Sequence, residues 1–414
     1  MIMNKLCIFT LCSTIAYITT NTSCKKPKDP IPVTPTSDSA NVLVNNGYGS
    51  GKYKIGDTVH IFNNPLATTE LFDKWNGDNT LLKNNDEWHT YFIMPSSNVN
   101  LTGTVKPSTT FTLINTMIKG KTILKPVYYY LPSTHKGIAY LLHGSGGTAQ
   151  NLVNDYEWQQ LIKVLVTDGY GIVVTECEEA TLGMDTNGDG KLRWLSNPLD
   201  SVANIDLANI KAISDTIYAR GWSTKAKPRY AVGMSNGGNY STIIAPYFKF
   251  KTAVSYCAQS GALTASISNV PTQFCMAKFD NNDNVGQAGN IEALNNSQAY
   301  TNRGICSKYL MKERAPLYSE RFARNGTITI AKSIAVFNEL KTKGFLNTRN
   351  YFIGYSDAFV NAYQTAPGNY PEFNTLTILQ KLFVLQQIDL SVSDHQFYSD
   401  FNNATLKYMN TQCL

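Results

Sequence analysis

The sequence predicts an α/β fold: a mostly parallel central sheet covered by helices and interrupted by an inserted cap, with a small all-β domain ahead of it. Three observations point there. From about Phe111 onward, short apolar runs alternate with helical patterns, which is the signature of parallel strands joined by crossover helices. Between Val42 and about Lys106 the pattern is instead period-two alternation broken by glycine-rich turns. The chain also has 414 residues, more than one hydrophobic core usually organises.

The first residues read as an export signal. Lys5 precedes a largely apolar run from Leu6 to Tyr17, followed by the small polar stretch Thr19 to Ser23; this is too short for a stable bilayer span. Cys24, between Ser23 and Lys25-Lys26, resembles the modified cysteine of bacterial lipoproteins, although Asn21-Thr22-Ser23 lacks the usual aliphatic residue three places earlier. The resemblance implies a signal peptide over 1–23, lipidation of Cys24, and a protein held by its lipid at the outer membrane or cell surface of a bacterial envelope. Residues 25–39, KKPKDPIPVTPTSDS, place four prolines among short polar residues, so 24–40 forms an extended linker.

In the 41–108 stretch, Asn41-Val42-Leu43-Val44 and Thr58-Val59-His60-Ile61 alternate between turns at Gly47 to Gly51, Gly56-Asp57 and Trp75-Asn76-Gly77. The order of these signals, closing with Phe92-x-Met94-Pro95 and Val99-x-Leu101, resembles the small β repeat of bacterial internalins. That resemblance implies a spacer or a module touching glycan or protein, with no catalytic residues. Trp75, Phe92 and Met94 read as its core.

The strand-like runs that follow are Val127 to Tyr130, Ile138 to Leu142, Gly171 to Thr175, Arg229 to Gly233, Thr252 to Tyr256 and Phe274 to Phe279. Helical patterns cover Leu152 to Asp168 and Ile205 to Ala219. In such sheets chemistry collects at the carboxyl ends of the strands, and the polar motifs fall there.

Gly233-Met234-Ser235-Asn236-Gly237-Gly238 sits between a strand and the helical run Tyr240 to Ala245. Flanking glycines permit a sharp strand-to-helix turn that presents a serine oxygen above the sheet. A serine hydroxyl needs a histidine base and an orienting carboxylate to attack a carbonyl. Of the five histidines, His60 and His89 belong to the β-rich stretch, His135 precedes a strand, and His143 lies in a glycine loop, which leaves His395. The acid is expected after the strand ending at Phe279: Asp283, two residues before Val285, is the first choice and Asp280 the alternative. Asp394, although adjacent to His395, is badly placed to orient it. His143-Gly144-Ser145-Gly146-Gly147 follows an early strand, so the amide of Ser145 or Gly146, together with that of Asn236, would form an oxyanion hole.

With these motifs in place, the chain from 109 to 414 resembles the α/β-hydrolase superfamily, and within it the secreted polyhydroxybutyrate depolymerases and feruloyl and carbohydrate esterases. The resemblance implies hydrolysis of carboxylic esters through an acyl-enzyme, with Ser235, Asp283 and His395 as the triad and no organic cofactor. The long separation of Asp283 from His395 implies a cap inserted over 286–390. Two rival readings are a serine peptidase on the same fold and a non-catalytic surface binding lipoprotein.

Asp185-Thr186-Asn187-Gly188-Asp189-Gly190-Lys191-Leu192 repeats the first eight positions of an EF-hand-type loop, so Asp185, Asn187 and Asp189 are candidate ligands of a structural calcium. The twelfth position is Ser196 rather than a glutamate, so Asp200, Glu178 or Glu179 would have to complete the shell. Past Cys24 the cysteines are Cys177, Cys257, Cys275, Cys306 and Cys413, an odd number; Cys306 with Cys413 is the expected pair, and Cys257 and Cys275 read equally well as buried apolar residues. The formal charge of +6 falls to +5 without residues 1–23, and no basic cluster follows Lys25, Lys26 and Lys28, so a nucleic-acid partner has no support.

Overall fold

The long apolar runs become the middle of a sheet because a strand covered on both faces must be apolar along its whole length. In the computed structural model, which describes residues 38–412, every residue of the strands Ile138–Leu142, Gly171–Thr175 and Thr252–Tyr256 is buried. The signal, Cys24 and most of the linker lie outside the described residues. No described helix is long and apolar enough to cross a membrane.

Seven strands precede this sheet: β1 (Ser39–Asn45), β2 (Gly47–Tyr48), β3 (Gly51–Lys54), β4 (Thr58–Asn63), β5 (Glu70–Gly77), β6 (His89–Ile93) and β7 (Val99–Pro107). They form one sheet in the order β3-β1-β7-β5 and another in the order β2-β4-β6. Trp75, Phe92 and Met94 fill the core between them, as expected, with Val59, Ile61 and Leu101.

The large sheet contains β8 (Ile114–Lys119), β9 (Leu124–Tyr130), β10 (Ile138–Leu142), β11 (Gly171–Thr175), β12 (Arg229–Met234), β13 (Thr252–Tyr256), β14 (Thr272–Ala277) and β15 (Ser307–Lys312). Its order is β15-β14-β13-β12-β10-β11-β9-β8. Neighbours from β11 through β15 run parallel, and β9 is antiparallel to both β11 and β8. This is the α/β-hydrolase arrangement. Helices Tyr156–Thr167 and Asn402–Thr411 cover one face, and Ile205–Ala219 and Asn236–Tyr247 the other. The chain leaves β10 for β11 on one side and returns to β12 on the other, which opens a crevice at the carboxyl ends of β10 and β12.

The expected long helix Leu152 to Asp168 is two helices, Ala149–Asn154 and Tyr156–Thr167, because Asp155 leaves the helical conformation and its carboxylate accepts the Trp158 N–H, capping the second. The inserted segment contains β15 at the sheet edge and then a helical bundle with its own core, including Phe322, Val336, Phe337, Leu340, Phe359 and Val384. Cys306 is disulfide-bonded. Its expected partner Cys413 lies outside the described residues, while Cys177, Cys257 and Cys275 are free and buried.

The β-rich stretch is less separate than a spacer would be, since Ser39–Leu414 is one compact unit. Tyr48 stacks on Tyr318 at 4.4 Å, and the Arg324 guanidinium sits 3.8 Å above the Trp88 ring. Arg324 also pairs with Glu157 at 2.8 Å, both groups being buried. Nearby, His60 Nδ1 lies 3.0 Å from His89 Nε2, His89 Nδ1 meets Asp400, and Lys312 reaches the same carboxylate at 2.7 Å.

Burial, reinforced by Lys312 and Arg321, pushes His89 down to about 4 despite its bond to Asp400. Burial and the neighbouring His89 and Lys312 also lower His60. As pH falls, the unfolded histidines therefore bind protons first, near their ordinary value of about 6.5, and stability is lost from there toward about 4. Buried Asp155, Asp206 and Asp389, each raised to about 6, act in the opposite sense. A comparison of wild type with His89→Gln cancels them. In urea unfolding, the stability gap between the two should narrow by up to about 3 kcal/mol between pH 6.5 and 4; a gap independent of pH would refute a neutral His89.

Candidate active site

Ser235 stands where β12 must turn at once into the helix Asn236–Tyr247, and it takes φ +56 and ψ −127, a strained conformation for a residue with a side chain. The turn closes only without side chains at its flanks. A Cβ on Gly233 would lie 2.0 Å from the Gly237 carbonyl oxygen, and one on Gly237 would lie 2.3 Å from that of His143. The Ser235 N–H donates to the Tyr256 carbonyl at 2.8 Å, which ties the elbow to β13.

His395 arrives from the far end of the inserted segment. Helix Ile378–Val392 ends at Ser393 in the left-handed region. The Ser393 hydroxyl donates to the Lys312 carbonyl at 2.7 Å and accepts the Lys278 N–H at 3.0 Å. The Asp394 carboxylate accepts the N–H groups of Asn281 (2.9 Å) and His395 (2.7 Å), so it locks the histidine loop to the acid loop. His395 Nε2 then lies 2.9 Å from Ser235 Oγ, and its Nδ1 lies 2.7 Å from Asp280 Oδ2.

The carboxylate on His395 is therefore Asp280, and the expectation of Asp283 in that place is corrected. Asp280 follows β14 closely enough to stay under the sheet edge, with its side chain fully buried. Its other oxygen accepts the Asn282 N–H at 3.0 Å, and the turn continues with Val285 N–H to the Asn282 carbonyl. This Asx turn carries Asp283 out to solvent.

The oxyanion expectation is refined as well. The Gly146 N–H is already given to the Leu192 carbonyl at 2.7 Å, so Gly146 is not a donor to substrate. Among the described residues no protein acceptor takes the N–H of Ser145 or of Asn236, and both residues line the cleft with Ser235 and His395. His143 supports this loop as its Nδ1–H donates to the Gly144 carbonyl at 2.7 Å and its Nε2 accepts the Cys177 N–H at 3.1 Å; burial pushes it down to about 4.

Two features escape the motifs. The Asn236 side chain clamps Trp194, accepting its N–H at 2.7 Å and donating to its carbonyl at 3.2 Å. The Trp194 indole N–H donates to the His143 carbonyl at 3.0 Å, and its ring stacks on Tyr240 at 4.8 Å. Segment 185–197 is thereby strapped to both the elbow and the oxyanion loop. A tryptophan among Asp, Asn and Gly was the available sequence signal.

The strap holds the expected calcium residues. Asp185 accepts the N–H groups of Gly188 (2.8 Å) and Gly190 (2.7 Å), and these donors hold its carboxyl below the usual range. Asn187 accepts the Asp189 N–H at 3.0 Å, Asp189 pairs with Arg193 at 2.6 Å, and Glu179 accepts the Thr186 N–H at 3.0 Å. A cation would compete with these bonds. Among the described residues, the only ligand-type cluster of at least three His, Cys, Asp or Glu is Cys257, Asp280 and His395, that is, the catalytic pair with a buried thiol beside it.

The cleft is open, about 1120 Å³, and of mixed character: amide and charged side chains such as Asn187, Arg193, Asn239, Gln259 and Glu292 line it together with Leu192, Leu195, Met234 and Val285, and its one tryptophan, Trp194, is buried. Of the expected insertion, 286–390, Glu292 on helix Gly286–Asn302 lines the cleft, while no residue of the bundle over 313–392 is among those lining it.

No protein-family model and no curated protein matches this chain. Solved structures with a related fold include a dienelactone hydrolase from Anabaena variabilis, 14% identical over 49% of this chain and 87% of that one, with a TM-score of 0.37. Others are an esterase from the archaeon Pyrobaculum calidifontis (10% identical, 49% and 76% covered, TM-score 0.35) and dipeptidyl peptidase 4 of Porphyromonas gingivalis (15%, 48% and 31%, TM-score 0.35). Such distant likenesses say nothing of substrate. What the strand order and the elbow define is an α/β-hydrolase fold.

Replacing Asp280 by Asn should lower kcat by on the order of 10⁴-fold, because the imidazole tautomer is no longer fixed. Asp283→Asn should stay within about twofold, an exposed side chain having little effect. Steady-state hydrolysis of p-nitrophenyl acetate by the two variants checks the assignment, and the reverse ranking would restore Asp283.

Proposed function

We propose that this protein is a serine carboxylic-ester hydrolase acting on acyl esters of polyhydroxylated, carbohydrate-type alcohols. The observation that carries the reading is the Ser235–His395–Asp280 chain, with contacts of 2.9 and 2.7 Å, in an open cleft lined by both polar and aliphatic side chains. Ser235 Oγ attacks the acyl carbonyl while His395 Nε2 takes its proton, and Asp280 holds the resulting imidazolium. The Ser145 and Asn236 N–H groups receive the oxyanion. Collapse of the tetrahedral intermediate breaks the bond to the alcohol, which leaves with the proton from His395. Water, deprotonated by His395, then attacks the acyl-enzyme, and the carboxylic acid departs from Ser235.

The lining narrows the alcohol and the acid. The cleft joins amides, hydroxyls and charges suited to sugar hydroxyls with the aliphatic side chains Leu192, Leu195 and Met234, which suit a short acyl group, and its one tryptophan is buried, so an aromatic acyl group meets no exposed tryptophan ring. Because no residue of the bundle over 313–392 lines it, a polymer bearing pendant acyl groups can lie across it. Nucleophile, base, acid and oxyanion donors all come from the chain, so no cofactor enters these steps.

The wild type should release acetate from acetylated xylo-oligosaccharides and chromophore from p-nitrophenyl acetate, with little action on long-chain or feruloyl esters. Ser235→Ala should lose on the order of 10⁵-fold in kcat. Faster cleavage of peptide than of ester substrates would move the reading to a peptidase, and a folded but inert wild type would move it to a binding protein.

The reading includes export and anchoring through Cys24. Metabolic labelling with a palmitate analogue should mark the protein in a bacterial host and fail with Cys24→Ser; an unlabelled wild type would mean cleavage without lipidation.

A further inference from the structure

We infer that the N-terminal β-rich stretch is a working part of the hydrolase, with Glu87 and His89 acting as positioning residues for His395. The inference rests on the catalytic assignment of Ser235 and His395 and does not depend on which ester is the substrate.

The first N–H groups of a helix have no partner within it. Helix Asn402–Thr411 begins after Phe401, which offers no capping side chain. Glu87, more than 300 residues earlier in the chain, supplies the acceptor: its Oε1 takes the Ala404 N–H at 2.8 Å and its Oε2 the Asn403 N–H at 3.4 Å. The Asn403 side chain donates in turn to the Asp86 carbonyl. Next to it, the His89 ring bonds Asp400, whose carboxylate also receives Lys312 at 2.7 Å, and His60 backs His89 at 3.0 Å. Glu87 and His89, two positions apart in the β-rich stretch, thus hold chain positions 400 to 404.

His395 lies five residues upstream of Asp400. The opposite flank of that connection is held by helix Tyr156–Thr167: Phe397 stacks on Trp158 at 3.7 Å, and Glu157 accepts the Ser399 N–H at 3.1 Å. The catalytic histidine therefore hangs on a segment gripped from one side by the sheet's own covering helix and from the other by the β-rich stretch. Release of the second grip lets the segment drift, and displacement by about 1 Å at a reacting group costs about 100-fold in rate.

The test uses the full chain with Glu87→Ala and Glu87→Gln. Burial pushes the Glu87 carboxyl well above its usual range, so the amide, which keeps an acceptor, is a close replacement. In protein shown to be folded at the assay temperature by its melting curve, two rates are read: labelling of Ser235 by a fluorophosphonate, and turnover of p-nitrophenyl acetate. Glu87→Ala should slow both by about 10-fold or more with KM within about twofold, and Glu87→Gln should recover to within about threefold. If Glu87→Ala does not fold, His89→Gln is measured in the same way and should show the same fall in labelling rate. A folded variant with a lowered melting temperature but wild-type labelling would overturn the inference and leave the β-rich stretch a merely structural support. Normal labelling of the wild type without ester turnover would instead count against the ester reading alone.

Discussion

The site depends on one backbone constraint: a serine forced into a left-handed conformation at the carboxyl end of β12. That conformation costs on the order of 1 to 3 kcal/mol and persists only where surrounding structure over-determines it. Here it is fixed from three directions. Gly233 and Gly237 approach each other too closely for any side chain, the Ser235 N–H is tied to β13, and the Gly237 backbone rests against the Leu142 and His143 carbonyls at the end of β10. The elbow and the glycine loop after β10 are therefore one packed unit, so that the Ser235 hydroxyl and the Ser145 and Asn236 amides cannot move independently.

The strap over this unit explains why the donor set is smaller than a glycine-rich loop suggests. Leu192 takes the Gly146 N–H, and the Asn236 side chain holds the Trp194 backbone. Preorganised donors are effective because they need no rearrangement as charge develops. A loop of consecutive glycines would otherwise be free to turn its amides toward water. With Gly146 fixed, the neighbouring Ser145 lines the cleft with its N–H given to no protein acceptor among the described residues, and the Asn236 N–H is free because it stands at the helix start.

How much of this was legible follows from what each residue's surroundings demand. Strands β10, β11 and β13 were readable to the residue because burial on both faces permits only apolar side chains. The edge strands β8 and β15 are largely exposed or half-buried, so Ile114–Lys119 and Ser307–Lys312 carry polar residues that mask them. Ser235 and His395 were legible because a motif and a count of five histidines isolate them. The acid was not, since the choice between Asp280 and Asp283 depends on how an Asx turn directs side chains three residues apart, a matter of local geometry that spacing from a valine does not encode. The inserted segment was legible only as an insertion: chain order shows that it is there, whereas its place against the sheet depends on partners such as Tyr156 and Phe279 that are remote in sequence.

The β-rich stretch meets the rest of the chain through stacked rings such as Tyr48 on Tyr318 and through His89 and Trp88, which sit against buried charge pairs of the larger part: His89 on Asp400, Trp88 under Arg324. Arg324 with Glu157, and Lys312 with Asp400 and His89, are buried almost completely. Desolvation cancels much of the attraction in such pairs, so they add little net stability over a well-packed apolar contact, while loss of one partner leaves a buried charge that is strongly destabilising. Their effect is to make the arrangement specific. An apolar contact tolerates sliding, but a carboxylate that must meet both a lysine and a histidine admits one register. Asp400 occupies that position five residues from His395, so the register it enforces is also the register of the catalytic base.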